Sequence, residues 1–235
     1  MKLLKGVDMK SLKIATFVAA VLFASHSLAG TINNVYIDQI GSGSTITMTQ
    51  TGSGNTIGDD GTHTILNGNN QTIAITQVGS NNTHNVNVQG GNSTVTSNVN
   101  GDNNNTTIGC GTQPTSSCND TNITANVNGS ANTTAVTGGN KSTLSVTVDG
   151  SNNNTTLNSS TTNMLGAQAT IHTTGDSNTV SVTQNGPAGA NGFTSDVQVT
   201  GASNNVAVTQ TGTIDSNVSV HSTGSNNNIS VTSGN

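Results

Sequence analysis

The sequence contains no tryptophan, no arginine and no glutamate, and it has very little aromatic or charged character of any kind. Aromatic residues make up 2% of the chain and charged residues 6%. With so few large apolar side chains, the chain cannot build a conventional globular core. The low charge also argues against a solvating disordered tail, because such tails are usually rich in charge. A conventional globular domain and a charge-rich disordered tail are therefore both disfavoured.

Asparagine, threonine, serine, glycine and valine make up most of the chain instead. This mixture suits β-strands separated by tight turns. It is also typical of repeat proteins and of amyloid-forming β-proteins. Low-complexity disorder is the alternative for such a composition, and the regular spacing of glycines and apolar residues argues against it.

The first thirty residues differ from the rest. Lys10 and Lys13 precede an apolar run at positions 14–24, IATFVAAVLFA, and a short segment with small residues follows and ends at Ala29. This order predicts a secretory signal peptide, residues 1–29, cleaved near Ala29, with either Met1 or Met9 as the start. A transmembrane anchor is the alternative, but the run is shorter than the ~20 residues that a span needs. We expect a secreted chain without a membrane span.

Removal of this segment leaves Lys141 as the single basic residue and nine aspartates, a net charge of −8. Phosphate binding needs clustered Lys or Arg, so nucleic acid is not expected as a partner. Catalysis and metal binding need converging carboxylates and histidines. The remaining histidines stand apart in sequence, without acidic partners at motif spacing. The sequence therefore predicts no enzyme, no cofactor and no metal site. These histidines are His63, His84, His172 and His221.

Two cysteines, Cys110 and Cys118, flank a short polar segment, CGTQPTSSC. In an exported protein this spacing predicts a local disulfide. Metal binding is the weaker alternative, because two ligands without a nearby histidine do not complete a site.

Glycines recur along the chain, often at intervals of 11 residues. Between them one template repeats: Gly, two spacers, Asn, then an apolar, an apolar and a Gln residue at every second position before the next Gly. Glycine and its neighbours can adopt positive φ and so supply a tight turn. The predicted turn glycines are Gly41, Gly52, Gly79, Gly90, Gly101, Gly150, Gly175, Gly186, Gly201, Gly212 and Gly224.

A period of two places the Asn, the apolar residues and the Gln on one face of a strand. Each unit then forms a strand and a turn, and two units form one coil of about 22 residues. The predicted fold is all-β: a β-solenoid of about nine coils at ~4.8 Å each, forming a rod of about 40 Å. It would occupy residues 30–235, with loop insertions near 58–67, 109–120, 158–168 and 185–195.

Inward amides are tolerable only if they form hydrogen bonds up and down the stack, as ladders of identical amides do. The sequence therefore predicts an inward amide ladder. Its predicted members are Asn33, Gln39, Gln50, Asn55, Gln71, Gln77, Asn82, Asn104, Asn132, Asn153, Asn178, Gln184, Asn204, Gln210 and Asn227.

The repeat resembles that of the curlin family, the subunits of bacterial curli fibres, whose signature is Gln-x-Gly-x-x-Asn-x-Ala. The segments that carry the resemblance are QTGSGNTI at 50–57, QVGSNNTH at 77–84 and, less closely, QIGSGSTI at 39–46. Val or Ile often replaces the Ala of the family signature, and the cysteine segment is foreign to it. The resemblance implies an amyloid-like subunit that polymerises into extracellular fibres for adhesion and biofilm matrix. It also implies curli-type secretion and nucleation proteins as partners.

The residues themselves favour the same function, because a solenoid with little charge and no evident cap exposes strand edges at both ends. The alternative is a secreted, non-amyloid β-solenoid that binds a ligand, such as a surface adhesin or an ice-binding protein. The run Thr45, Thr47 and Thr49 is the segment that suits ice binding. A regular threonine ladder on one face would distinguish that alternative.

Overall fold

The computed structural model describes residues 32–58, 64–110, 118–159, 166–186 and 192–234, so the predicted signal peptide lies outside the described residues. Those residues form 19 β-strands and no helix. No helix suited to crossing a membrane is therefore found among them. The strands are β1 Asn34–Val35, β2 Ile37–Ile40, β3 Thr45–Ser53, β4 Thr56–Ile57, β5 Thr64–Asn67, β6 Thr72–Ser80, β7 Thr83–Gln89, β8 Thr94–Asn100, β9 Asn105–Cys110, β10 Asn122–Asn128, β11 Thr133–Gly138, β12 Thr143–Asp149, β13 Asn154–Ser159, β14 Gln168–Thr174, β15 Thr179–Asn185, β16 Phe193–Thr200, β17 Asn205–Thr211, β18 Ser216–Thr223 and β19 Asn228–Ser233.

The strands form two parallel sheets, and the chain alternates between them. The first sheet runs β1-β4-β7-β9-β11-β13-β15-β17-β19, with β2 and β5 beside its first levels. The second sheet has eight strands, β3, β6, β8, β10, β12, β14, β16 and β18 in stacking order. Because each coil contributes a strand to each sheet, the chain winds as a β-solenoid. The predicted all-β solenoid is confirmed.

The coils are less uniform than the predicted 22-residue coil, and several are longer. Equivalent positions are 21 residues apart between Asn132 and Asn153 but 28 apart between Asn104 and Asn132. The eight strands of the second sheet are joined by seven complete turns. The predicted count of about nine coils is therefore not confirmed, because loops between the strands take up part of the chain.

The predicted insertions fall partly outside the described residues, namely at 59–63, 111–117, 160–165 and 187–191. The insertion predicted near 58–67 ends earlier in the structure, because Thr64–Asn67 forms β5 and pairs with β2 and β7. Thr64 and Leu66 are fully buried there and continue the inward columns of the first sheet. A strand forms because this short run keeps the alternation of inward and outward residues.

The core is a set of columns, each made by equivalent inward residues of successive strands. In the first sheet Val136, Leu157 and Val182 stack in register and are all 0% exposed. In the second sheet Val95 and Ile123 stack in the same manner. Branched side chains pack well on a pleated surface, and each column is covered by the coils above and below it. The apolar residues that looked too few for a core suffice because stacking buries them on both sides.

The turn Gly101-Asp102-Asn103-Asn104 shows why this spacing recurs. Gly101 has φ 130° and Asn103 has φ 58°, so two of the four residues adopt positive φ. A Cβ atom on Gly101 would overlap the carbonyl oxygen of Gly129 in the next coil, so the backbones approach too closely for any side chain. Gly129 itself has φ 122° and belongs to the same column, although it is not among the predicted turn glycines. The coil that ends at this turn has 28 residues instead of about 22, so the regular glycine spacing does not reach Gly129.

Cys110 and Cys118 form a disulfide with a Cα–Cα distance of 5.5 Å. Cys110 ends β9, and the backbone of Cys118 stacks on Gly90 at the next turn. Both cysteines are buried, at 1% and 0% exposure. The bond therefore ties the end of a core strand to the turn that follows it across a sequence separation of 8 residues.

Reduction of this disulfide is expected to lower the free energy of unfolding by roughly 2–3 kcal/mol, because opening so short a loop returns limited entropy to the unfolded chain. Denaturant unfolding of the monomer with and without a thiol reductant measures the difference. The Cys110→Ala, Cys118→Ala double variant is the control, and the reductant should leave its midpoint unchanged. An equal midpoint for the oxidised and reduced wild-type chain would contradict the expectation.

Candidate functional site

An uninterrupted ladder of asparagines runs along the corner at which the chain passes from the second sheet to the first. Each member lies directly before a strand of the first sheet, and each one after Asn33 lies three residues after a turn glycine. We call this edge the asparagine corner. Its residues are Asn33, Asn55, Asn82, Asn104, Asn132, Asn153, Asn178, Asn204 and Asn227.

Each interior member of the ladder bridges three coils. Asn132 Nδ2 donates to Asn104 Oδ1 at 3.1 Å in the preceding coil and to the Gly150 carbonyl at 2.7 Å in the following coil. Asn132 Oδ1 accepts the backbone N–H of Asn153 at 2.9 Å and its Nδ2 at 3.2 Å. The donors and the acceptor of the side chain are thus satisfied while it is 1% exposed. Asparagine suits this position because it both donates and accepts at short reach.

The glutamines form isolated pairs. Gln50 Nε2 donates to Gln77 Oε1 at 2.8 Å on the second sheet, and Gln184 Nε2 donates to Gln210 Oε1 at 3.0 Å on the first. Gln39 lies in register with the buried Leu66, on the inward side as predicted, but it is exposed because β2 lies at the end of the stack. In both sheets, apolar or small residues occupy the equivalent inward positions of the strands from β7 to β14.

Gln71 lies at the opposite corner, where the chain passes from the first sheet to the second. Its Nε2 donates to the Gly90 carbonyl at 2.8 Å, much as the asparagines do, and its backbone N–H donates to Ser44 Oγ at 3.2 Å. The other residues of this corner are mixed, so no amide ladder forms here. The opposite corner comprises Ser44, Gln71, Ser93, Thr121, Ser142, Ala167, Phe193 and Ser216.

The N-terminal end of the solenoid is an open apolar face. Val35, Ile37 and Ile46 point into the core but are only partly buried, because none of the described residues forms a coil above them. Ile32, before the first strand, is 80% exposed. Ser44 and Asn33 mark the two corners of this end.

The C-terminal end has the same character. The last strand, β19, alternates exposed and half-buried residues, and its inward Ile229 and Val231 are only partly buried. Val218 and Val220 of β18 retain 7% and 6% exposure, whereas the equivalent Val197 of β16 is fully buried. Strand edges with inward apolar residues are surfaces on which a further strand can add.

The outer faces carry small uncharged residues over most of their area. Threonines stack in register only in short runs at different positions, for example Thr45, Thr72 and Thr94 before Asn122 interrupts the column. Two comparable runs of three are Thr174, Thr200 and Thr223, and Thr183, Thr209 and Thr232. The threonine ladder that would favour ice binding is thus short. Ionisable side chains on the outer face of the second sheet include two histidine–aspartate pairs. These are His172–Asp149 at 3.3 Å and His221–Asp196 at 3.7 Å.

His84 differs from the other described histidines in its burial. It occupies the inward column of the first sheet between Ile57 and Thr106 and is 0% exposed. Neither ring nitrogen has a hydrogen-bond partner among the described residues. Burial lowers the pKa of His84 from 6.5 to about 3, because the charged ring would lose its hydration. His84 is therefore a neutral core residue at physiological pH.

Potential ligand chemistry is sparse in the rest of the described structure. No group of three or more His, Cys, Asp or Glu side chains is placed to hold a metal ion within those residues. The two open ends, at which the asparagine corner terminates, are the features with unmet binding capacity. They form the candidate functional site.

Comparison with known proteins found no matching family model, no matching curated protein and no matching solved structure. The resemblance to the curlin family stays a prediction drawn from the repeat.

Proposed function

We propose that this protein is a structural subunit that self-assembles end to end into extracellular, curli-like amyloid fibres for adhesion and biofilm matrix. The partner at each end is a second copy of the chain. Export through the predicted signal peptide and fibre formation at the cell surface belong to the same proposal, as do secretion and nucleation proteins of the curli type.

The observation that carries the proposal is the open edge of β19. Ile229 and Val231 are half-buried there, and the backbone of the strand ends the first sheet. Adding another coil would bury these side chains and extend a parallel sheet, which is the arrangement of cross-β fibres. The low charge of the chain, 6%, offers little electrostatic repulsion against this addition.

A pair of lysine variants one position apart tests the proposal on a chain that starts at residue 30. Val231→Lys places a charge in the face that a second copy would cover, whereas Ser230→Lys places it on the outer face. We expect Val231→Lys to slow fibre elongation about tenfold or more, because burying an unpaired ammonium costs well over ~1.4 kcal/mol. Ser230→Lys should stay within about twofold of the wild type.

The measurements are thioflavin fluorescence, resistance to SDS and X-ray fibre diffraction, with a cross-β reflection at about 4.7–4.8 Å expected for the wild type. A wild-type chain that stays monomeric at high concentration and melts reversibly would overturn the proposal. Equal slowing by the two lysines would show that the C-terminal face is not the growing surface.

A further inference from the structure

The two ends of the solenoid are half a coil out of phase. The first and the last of the described strands, β1 and β19, both belong to the first sheet. The second sheet therefore starts and ends one half-coil inside them, at β3 and β18. A second copy stacked in the same orientation would pair its β1 with β19. A space one strand wide would then stay open beneath β18, with Val218 and Val220 exposed to it.

Resting on the proposed function, we infer that successive copies join head to tail with a rotation of about 180° around the solenoid axis. The β1 and β2 strands of the next copy then pair with β18, and its β3 pairs with β19. Both sheets continue without a missing strand, because the rotated copy starts its first sheet where the previous second sheet ended. The strand direction is preserved, since the two sheets run in opposite directions around the coil.

The two sheets are equivalent enough to stack on each other. In the first sheet the Asn105 N–H donates to the Asn132 carbonyl at 2.9 Å. In the second sheet the Thr94 N–H donates to the Thr121 carbonyl at 2.8 Å, at the equivalent position after the corner. The backbone hydrogen bonds of the two sheets are therefore in the same phase. At the junction, the N–H of Asn228 would donate to the Ser44 carbonyl of the next copy.

The asparagine corner also continues across the rotated junction. Asn204 Nδ2 donates to the carbonyl of Gly224, which lies three residues before the next ladder position. In the next copy, Gly41 lies three residues before Ser44 and has φ 122°. Asn227 Nδ2 would thus donate to the Gly41 carbonyl, and Asn227 Oδ1 would accept the N–H of Ser44. The turn Gly41-Ser42-Gly43-Ser44 has the spacing that this contact needs.

The side chains that meet in this register are complementary. Inward apolar residues meet apolar residues in both sheets. On the outer face, His221, which lies 3.7 Å from Asp196, would align with Asp38 of the next copy. The unrotated register would instead align Asp38 with Thr232. The inward pairs are Val218 with Val35, Val220 with Ile37, Ile229 with Ile46 and Val231 with Met48 of the next copy.

Cysteine cross-linking in assembled fibres distinguishes the two junctions. A chain carrying Asn228→Cys is mixed with a chain carrying either Thr45→Cys, its neighbour in the rotated junction, or Asn34→Cys, its neighbour in the unrotated one. The native cysteines are already paired with each other and do not compete. We expect the Asn228–Thr45 mixture to give about tenfold more cross-linked dimer after oxidation, because only in-register neighbours reach disulfide distance.

Dominant cross-linking between Asn228→Cys and Asn34→Cys would overturn the rotation and leave the fibre proposal standing. Fibres without either cross-link would show that the ends do not stack in these registers. Absence of fibres from the wild-type chain would remove the proposed function and the junction together. Cryo-electron microscopy gives a second measurement, with an expected rotation near 180° and a rise of about 40 Å per subunit, from strands ~4.8 Å apart.

Discussion

Replacing Asn132 by alanine is expected to lower the free energy of unfolding by about 3–5 kcal/mol. The change removes both bonds that Asn132 Nδ2 donates and both that Asn132 Oδ1 accepts. It leaves the Gly150 carbonyl and the backbone N–H of Asn153 without these partners in a buried corner. Unmet polar groups in such surroundings each cost about 1–3 kcal/mol. Denaturant unfolding of the monomer measures the loss.

Asn126→Ala is the matched control, since Asn126 lies on the outer face of β10 and accepts a single bond from Asn98 at 3.0 Å. Its effect should stay within about 0.5 kcal/mol. The double variant Asn132→Ala, Asn153→Ala should cost at least ~1 kcal/mol less than the sum of the two single variants, because the first removal already takes away a partner of the second. Strict additivity would show that the ladder is a row of independent contacts.

Acidification from pH 7 to pH 4.5 is expected to remove about 2.5 kcal/mol of stability through His84 alone. The pKa of His84 is about 3 in the folded chain and 6.5, the usual value for histidine, in the unfolded chain. The unfolded chain therefore binds the proton first as the pH falls. Stability therefore decreases with falling pH throughout the window from 6.5 to about 3. The slope is close to 1.4 kcal/mol per pH unit in the middle of that window.

His84→Val should abolish this component, because valine fills an inward column position without a titrating group. His172→Gln, on the exposed outer face, should leave it in place. Unfolding free energies of the three chains at several pH values between 4.5 and 7 provide the comparison. If the wild type and His84→Val lose stability in parallel, the cost of protonating His84 does not govern acid unfolding.

The asparagine corner could be predicted from the sequence because its requirements are local. A glycine and an asparagine three residues apart satisfy the turn and place an amide inward, as at Gly175 and Asn178. The Cys110–Cys118 spacing likewise fits a bond between neighbouring chain segments. These features depend on short-range geometry, because the allowed φ values and the alternation of side chains along a strand leave few conformations open to such segments.

Other features could not be read from the repeat. Gln39 and Gln77 occupy the same place in their repeats, yet Gln39 is exposed and Gln77 is fully buried. The difference comes from neighbours two dozen residues away, because Gln39 lies in the end coil. Thr64–Asn67 forms a strand although it is too short to predict, since β2 and β7 supply its hydrogen bonds on both sides.

The sequence by itself determined the strand period, the turn glycines and the presence of inward amides, because these follow from the conformations open to each residue and its nearest neighbours. The tertiary structure decided which corner carries the ladder, how long each coil is and which sheet holds the first and the last described strand. Those properties depend on how all the coils stack, since a loop inserted anywhere shifts every later strand along the chain without changing its local pattern. The half-coil phase between the two ends is therefore visible only in the assembled solenoid.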